Sequence, residues 1–343
     1  MIQIANLLLT RRCNLKCSYC NLVKDYKDKP ADYPSMKNFR ENELTGEQWC
    51  DILQRLKAHN KDIFIILYGG EPFLYKDLDK ILVYCYRERI NYTIISNSTG
   101  GLVWNRVWNL YHQYGKYRGF TSSVDPIVMM PERKVPKKYK DIYRKSTEGL
   151  NKLIQAKISG LSDDVVAEIT ILKETIPYLY GTVAKLSEHG IYSSITAVDA
   201  RKSPYYDFSS VDVKDGCLLE QTQELKELFA RLYNDAMEGK LKIHIPQTLD
   251  VLYQYLPSNY KCQIHKNIHN VSIEPNGTFR LCLRIAGLET PAADYRKAIS
   301  TKGVIDPRLL PVYMGWDYHH FCKGCNWTCP MMSELYQDKI LNH

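Results

Sequence analysis

Three cysteines lie within eight positions near the beginning of the sequence, at Cys13, Cys17 and Cys20. Cysteine thiolates are the usual ligands of iron–sulfur clusters, and three of them on a cluster of four irons leave one iron open. An open metal position is where a substrate or a cofactor binds. The spacing Cys-x3-Cys-x2-Cys is not typical of a zinc finger, and no histidine follows at the distance that a zinc finger requires. It therefore predicts a [4Fe-4S] cluster with an exchangeable fourth ligand.

A second group of cysteines lies in the last part of the sequence. Cys262 and Cys282 bracket the segment "VSIEPNGTFRLC" (271–282), in which Asn276-Gly277 is a strong hairpin-turn signal. Three more follow at Cys322, Cys325 and Cys329. A hairpin and a distant loop can together close four thiolates around one metal centre. Four thiolates suit zinc as well as an iron–sulfur cluster, so zinc stays open as an alternative for this second site.

Composition favours a folded protein that uses its cysteines for chemistry. The chain has 343 residues, 45% of them hydrophobic, and an odd total of 11 cysteines. In a long chain, short cysteine spacings favour metal sites over disulfides. No apolar run approaches the roughly 20 residues of a membrane span. The basic pair Arg11-Arg12 follows the first apolar stretch, the reverse of a secretion signal, so we expect a cytoplasmic protein without membrane partners.

Strands and helices alternate along the first 200 residues. Six short, nearly continuous apolar runs predict strands buried in a parallel sheet, and they occupy 2–10, 62–70, 91–98, 119–125, 164–172 and 190–199. Apolar spacing near 3.6 predicts helices over 45–59, 77–89, 146–158, 175–190 and 218–240. Thr45 and Gln48 predict a capping box at the start of the first helix, and Thr175 is the predicted N-cap of the fourth. The pattern indicates an α/β fold, a partial (β/α)6 open barrel with a small C-terminal α+β domain.

Three parts are expected along the chain. Residues 1–210 form the barrel, 211–256 a linking helical segment, and 257–343 the C-terminal cysteine domain. Within the barrel, the polar motifs follow directly after predicted strands. Chemistry in such folds gathers at the carboxyl ends of the strands, so we expect these motifs to meet the three-cysteine loop.

The cysteine spacing, with the aromatic Tyr19 before the last cysteine, resembles the signature of the radical S-adenosylmethionine (SAM) superfamily. The strand-end motifs agree with that resemblance in order and position. The resemblance implies that Tyr19 lines the adenine site and that the motif around Glu71 holds the methionine amino group. Further SAM contacts are implied at the ends of the third, fourth and fifth strands. The implied cofactor-binding residues are Tyr19, Gly69, Gly70, Glu71, Pro72, Ser96, Asn97, Ser123, Asp125 and Glu168.

The pattern Cys262-x14-Gly277-x4-Cys282 resembles the auxiliary-cluster domains called SPASM and twitch in the same superfamily. Five cysteines fit the shorter twitch type better, with one auxiliary [4Fe-4S] cluster. Five candidates compete for four ligand places. We expect Cys262, Cys282, Cys322 and Cys325 to bind, and a set that contains both Cys325 and Cys329 is the alternative.

The resemblance implies an enzyme with two [4Fe-4S] clusters, an oxidoreductase or maturase. Such enzymes cleave SAM reductively to a 5′-deoxyadenosyl radical, which abstracts a substrate hydrogen, and they need an external one-electron reductant such as flavodoxin or ferredoxin. We expect oxidation, crosslinking or epimerisation of a peptide or protein. The alternative is a dehydrogenase or epimerase of a small polar metabolite such as an aminosugar. RNA modification comes last, because no RNA-binding appendage is evident, and we expect no nucleic-acid partner.

Cys217 lies between the barrel and the C-terminal domain. One hypothesis makes it a hydrogen-atom donor to the substrate radical, as in radical epimerases. The simpler interpretation is a packed or surface thiol, because free cysteines are among the most buried residues.

Overall fold

The computed structural model describes residues 2–15, 17, 43–197, 219–254, 270–280 and 293–306. All six predicted strands are present in these ranges and all pair in parallel. They are β1 (Ile4–Leu8), β2 (Phe64–Tyr68), β3 (Asn91–Ser96), β4 (Tyr117–Ser123), β5 (Ser162–Ile171) and β6 (Tyr192–Ala197). Each is hydrogen-bonded to the next in chain order, and β6 does not pair back to β1. The predicted α/β fold with an open parallel sheet is therefore confirmed.

Helices connect these strands. They are α1 (Gly46–His59), α2 (Leu78–Arg87), α3 (Gly101–Tyr114), α4 (Lys140–Ile158), α5 (Ile176–Glu188), α6 (Gln223–Met237), α7 (Thr248–Gln254) and the single turn α8 (Tyr295–Ala298). At the start of α1 the Thr45 side chain accepts from the Gln48 amide and the Gln48 side chain accepts from the Thr45 amide, which confirms the predicted capping box. Helix α6 ends before Gly239, which has a φ of +76°. Glycine in this left-handed conformation commonly ends a helix.

Three local expectations need correction. The connection between β3 and β4 contains the unpredicted helix α3. Helix α4 starts at Lys140, six residues before the predicted start at 146. Thr175, expected to cap α5, makes no capping hydrogen bond to that helix. Its Oγ1 instead bonds both the amide and the carbonyl of Leu172, because the chain makes a short 3₁₀ turn before the helix begins.

The two faces of the sheet differ in chemistry. Side chains at alternate strand positions, such as Leu7, Leu67 and Ile94, are fully buried and belong to the same hydrophobic core as the helix residues Trp49 and Leu153. The intervening positions form the opposite, inner face, which is largely polar and mostly half-buried. The polar side chains of this inner face include Asn6, Tyr68, Thr93, Thr121, Ser123, Glu168, Thr170, Ser194 and Thr196.

Three further strands extend the sheet beyond β1. They are β7 (Asn270–Ile273), β8 (Thr278–Arg280) and β9 (Ala293–Asp294). Strand β7 pairs in parallel with β1, and β8 and β9 follow antiparallel. The predicted hairpin is thus confirmed, with Gly277 at a φ of +84° in its turn, and it continues the sheet of the barrel.

A buried ion pair ties this hairpin to the cysteine loop. The Arg11 guanidinium lies 3.6 Å from the Glu274 carboxylate, and both side chains are less than one-tenth exposed. In the part of the chain that the structure describes, no helix has the length and apolar character of a membrane span.

Candidate active site

The cysteine loop leaves β1 at the carboxyl edge of the sheet and runs beside the end of β2. The Gly70 amide donates to the Thr10 carbonyl, and the Glu71 amide donates to the Arg12 carbonyl, both at 2.7 Å. A Cβ on Gly69 would lie 2.6 Å from the Thr10 carbonyl oxygen. A Cβ on Gly70 would lie 2.7 Å from that of Arg11 and closer still to that of Arg12. The two glycines are therefore required because the backbone of the cysteine loop approaches too closely for any side chain.

Glu71 joins the ends of β2 and β3. Its side chain is fully buried, and its carboxylate accepts from the Phe73 amide at 3.1 Å, the Ser96 hydroxyl at 2.9 Å and the Asn97 amide at 2.8 Å. Burial raises the pKa of Glu71 to about 7, although these three hydrogen bonds act in the opposite direction. The observed contacts make Glu71 an organiser of the site. Its contact with the methionine amino group stays a prediction.

Asn97 faces the cysteine loop from the end of β3. Its Nδ2 lies 3.6 Å from the Cys13 sulfur and 2.8 Å from Asn14 Oδ1. The Asn97 Oδ1 accepts from both the amide and the hydroxyl of Thr99, at 2.9 and 2.5 Å. The Asn97 side chain is thus engaged by Cys13, Asn14 and Thr99, and a ribose contact of Asn97 stays a prediction.

Cys13 and Cys17 are both half-buried, and the Leu15 amide donates to the Cys13 sulfur at 3.4 Å. A sulfur that accepts N–H hydrogen bonds is suited to a thiolate bound to a cluster. The described residues contain no group of three cysteine, histidine or acidic side chains gathered around one point, since the third cysteine of the motif is outside them. The donor set present fits two thiolate ligands of a cluster.

The acid after β4 is bound by α4. Asp125 is fully buried, and its Oδ2 lies 3.0 Å from Lys145 Nζ and 3.1 Å from the Ser146 hydroxyl. The Ser146 oxygen also accepts from the Asp125 amide at 3.1 Å. These contacts fix the start of α4 against the end of β4. Ser123, the last residue of β4, lies half-buried on the inner face, and SAM contacts of Ser123 and Asp125 stay predictions.

Glu168 lies half-buried on the inner face of β5. It sits beside Ser123 on one neighbouring strand and beside Ser194 on the other. Burial raises the pKa of Glu168 to about 7, and hydrogen bonds to Ser194 and Thr196 oppose the shift. The position suits contact with a polar ligand in the barrel, as the sequence predicts.

Several site residues were not recognised in the sequence. Asn14 could have been found from its place inside the cysteine motif, and Thr99 from its place after the third strand. The buried position of Lys145 could not be predicted from the sequence, because a lysine near the start of a helix is normally exposed to solvent. Eight predicted positions fall outside the described residues, so their roles stay predictions: Tyr19, Cys20, Cys217, Cys262, Cys282, Cys322, Cys325 and Cys329. The auxiliary site, for which the last five are the candidates, is outside them as well.

An open parallel sheet with a cysteine loop at its carboxyl edge is the arrangement that the resemblance to radical SAM enzymes implies. Residues 7–186 match the family described as the Radical SAM superfamily. Because that stretch is just over half of the 343 residues, the chain belongs to the radical SAM superfamily.

Two curated relatives match parts of the chain. The S-adenosylmethionine-dependent nucleotide dehydratase of Selenomonas ruminantium is 31% identical over 122 residues, which are 36% of this chain and 39% of that protein. The sporulation killing factor maturation protein SkfB of Bacillus subtilis is 36% identical over 98 residues, which are 29% of this chain and 20% of SkfB. The matches thus span less than half of either relative.

The solved structure of Streptococcus suis SuiB is similar over a longer stretch. The TM-score is 0.63 with 14% sequence identity, covering 95% of this chain and 73% of SuiB. This likeness concerns the fold. SuiB has also been solved bound to S-adenosylmethionine and bound to its precursor peptide SuiA.

Proposed function

We propose that this chain uses SAM at a [4Fe-4S] cluster held by Cys13, Cys17 and Cys20 to abstract hydrogen from a peptide or protein substrate. The outcome is oxidation, crosslinking or epimerisation. The observation that carries the proposal is the cysteine loop, hydrogen-bonded along Gly70 and Glu71 at the carboxyl edge of an open parallel sheet. When bound, the cluster and SAM supply a reductive cleavage that yields a hydrogen-abstracting 5′-deoxyadenosyl radical.

The residues of the chain position and shield this chemistry. Gly69 and Gly70 let the cysteine loop lie flat against the end of β2. Glu71 connects that strand end to Asn97, which faces Cys13. The polar inner face gives a ligand hydroxyl groups to bond within the barrel, while the helices close the outer face against water. The proposed active site is thus the polar inner face of the sheet, supported by the apolar core on its outer face.

Two observations support a peptide substrate. SkfB is a maturation protein, and SuiB has been solved bound to a precursor peptide. A small polar metabolite, such as an aminosugar, is the second candidate. It is favoured by the nucleotide dehydratase that matches 122 residues of this chain and by the hydroxyl-rich inner face.

The proposal extends to the C-terminal cysteines. We infer that four of the five would hold an auxiliary [4Fe-4S] cluster, which would supply an electron acceptor for an oxidation, and that flavodoxin or ferredoxin is the external one-electron reductant. Cys217 is the proposed hydrogen donor if the reaction is an epimerisation. Its replacement by alanine would then leave 5′-deoxyadenosine formation intact and abolish the normal product, whereas an unchanged product rate would exclude that role.

Anaerobic reconstitution tests the chemistry. We expect about eight irons per chain, four for each cluster, and 5′-deoxyadenosine release when SAM and reductant are added. Cys13→Ala should remove about half of the iron and all SAM cleavage. Cys50→Ala is the matched control, because Cys50 is a half-buried thiol on α1, and should change neither. Zinc in place of iron, with no SAM cleavage, would refute the proposal.

Isotope transfer then separates the two substrate classes. A candidate peptide or metabolite carrying deuterium at the reacting carbon should pass that label to 5′-deoxyadenosine. Label transfer from a peptide encoded beside the gene supports the first candidate. Transfer from a small metabolite, with none from the peptide, supports the second.

A further inference from the structure

We propose that Asn97 is a positioning residue that hydrogen-bonds the Cys13 thiolate and raises the reduction potential of the cluster held by the cysteine loop. The proposal rests on the proposed function, since it concerns the cluster that the loop would hold. It starts from the 3.6 Å separation between Asn97 Nδ2 and the Cys13 sulfur, a normal length for a hydrogen bond to sulfur.

The hydrogen bonds around Asn97 determine which way its amide points. The Oδ1 atom accepts two donors from Thr99, the backbone amide and the hydroxyl. A reversed amide would turn its NH₂ group toward the Thr99 amide, which can only donate. The NH₂ group must therefore face Cys13 and Asn14.

Asn14 supports the same orientation. Its Oδ1 accepts from Asn97 Nδ2 at 2.8 Å, and its Nδ2 donates to the Thr99 carbonyl at 2.7 Å. The carbonyl can only accept, so the Asn14 amide is fixed as well. Two amides of determined orientation thus connect the cysteine loop to the turn after β3.

The backbone at Asn97 is held from the other side. Its amide donates to Glu71 at 2.8 Å, and the residue is 8% exposed. The next residue, Ser98, is fully buried with a φ of +55°, a left-handed conformation that is uncommon for residues other than glycine. This turn directs the Asn97 side chain toward the cysteine loop.

An N–H donor on a thiolate ligand changes the energetics of electron transfer. Reduction adds negative charge to a cluster and its sulfur ligands, so a positive N–H dipole beside one sulfur stabilises the reduced form more than the oxidised form. Asn97 Nδ2 and the Leu15 amide both donate to the Cys13 sulfur. The Asn97 donor belongs to a side chain, so a substitution can remove it without altering the loop backbone.

The test is the potential of the reconstituted full chain, read by EPR during a redox titration. The signal that changes on SAM addition identifies the cluster of the cysteine loop. Asn97→Ala should disfavour its reduction about threefold to tenfold, the upper value being about 59 mV for a one-electron couple. Iron loss on exposure to a chelator should also be faster in this variant, because Cys13 loses a contact.

Asn60→Ala is the matched control. Asn60 also donates a side-chain hydrogen bond, to the Ile2 carbonyl at 2.9 Å, but at the amino end of the strands. Its loss should leave the potential unchanged. Asn97→Asp is the second variant, in case the alanine protein does not fold. It keeps the acceptor toward Thr99 and replaces the N–H donor by a negative oxygen, so the potential should fall further.

The outcomes separate the two proposals. If the wild-type chain takes up no iron–sulfur cluster, the proposed function fails and this inference fails with it. If the wild type shows a SAM-responsive cluster and both Asn97 variants keep its potential, the role of Asn97 is refuted while the proposed function stands. A lowered potential in the Asn97 variants but not in Asn60→Ala supports the inference.

Discussion

At Gly70 the cysteine loop and the end of β2 approach so closely that no side chain fits between them. A Cβ there would lie closer than 3 Å to two carbonyl oxygens of the loop, at Arg11 and Arg12. Both oxygens belong to backbone, which can move only together with the hydrogen bonds at Gly70 and Glu71. Gly70 therefore sets the position of the loop that carries Cys13.

Gly70→Ala should consequently displace the cysteine loop. We expect a loss of stability of about 1–3 kcal/mol, typical of overpacking, and a clear fall in iron bound per chain after reconstitution. Thermal unfolding and an iron assay measure the two effects. Gly101→Ala is the control, since a Cβ at Gly101 meets nothing within 4 Å and the residue lies in a helix. Full iron uptake by Gly70→Ala would contradict the steric explanation.

Glu71 gives the stability of the chain a pH dependence. Its pKa in the folded chain is about 7, above its ordinary value of 4.5. The folded chain therefore binds this proton more tightly than the unfolded chain does, so the stabilising contribution is complete below the ordinary value and is lost as the pH rises through about 7. A shift of this size corresponds to about 3 kcal/mol.

The measurement compares wild type with Glu71→Gln between about pH 5 and about pH 8. The stability of the wild type relative to the variant should decrease as the pH rises, because only the wild type has the titrating group. Thermal midpoints of the two proteins at each pH give the difference. A difference that stays constant, or that grows with pH, would show that Glu71 is ionised throughout this range.

The elements are held at the active-site edge by buried charge as well as by the apolar core. Asp125 after β4 and Lys145 in α4 form an ion pair in which both side chains are almost fully buried. Removing one partner of such a pair leaves the other charge buried and uncompensated, which costs about 3–5 kcal/mol. The pair therefore fixes α4 over the ends of the strands.

Lys145→Met should lower the free energy of unfolding by this amount. Lys116→Met is the matched control, because Lys116 pairs with Asp163 on the surface with both side chains more than half exposed. That change should cost less than about 1 kcal/mol. The double variant Asp125→Leu/Lys145→Met should recover much of the loss, since it removes both charges. Equal losses in the free energy of unfolding for Lys145→Met and Lys116→Met would show that burial does not increase the contribution of the Asp125–Lys145 pair.

Most elements could be predicted from local pattern. Continuous apolar runs gave all six parallel strands, because strands covered on one face and half-buried on the other need few charges. Helix α3 was missed because tryptophans and tyrosines stand between its buried positions Val103, Val107 and Leu110, and they obscure the 3.6-residue period. Helix α4 begins early because Ile142 joins a small second hydrophobic cluster that a basic segment does not suggest.

The candidate site was predictable only in part. The family resemblance singled out Cys13, Gly69, Gly70 and Glu71, and the structure brings them together at one edge of the sheet, while their cofactor-binding roles stay predictions. The Asn97–Asn14 contact and the Asp125–Lys145 pair depend on which loops meet in space, and no local pattern encodes that meeting.

Across the whole molecule, the sheet is continuous from the barrel into the C-terminal hairpin. Strand β7 is hydrogen-bonded to β1 over four residue pairs, Arg11 is paired with Glu274, and the Leu44 amide donates to the Pro275 carbonyl at 2.7 Å. The domain boundary predicted at 257 stays a prediction, and the strand ladder shared by β7 and β1 provides a way to test it. The hairpin is expected to open together with the strands around it.

Hydrogen exchange tests this coupling. Amides of β7 should be as slow as those of β1, within about tenfold, because both belong to one cooperative unit. The exposed turn around Lys302 supplies a fast internal reference. Exchange of β7 at rates near those of that turn, with β1 still protected, would show that the C-terminal part unfolds independently and would support the predicted boundary at 257.

The division of the sheet into an apolar outer face and a polar inner face has a consequence for how such a scaffold acquires new activities. Stability comes mainly from the apolar side chains of the outer face, whereas under the proposed function selectivity would depend on small hydroxyl residues of the inner face, which add little to the core. A combinatorial library confined to Thr93, Thr121, Ser194 and Thr196 would therefore sample new specificities while most of its members still fold. The positions that tolerate substitution would thus be the same positions that determine which ligand binds.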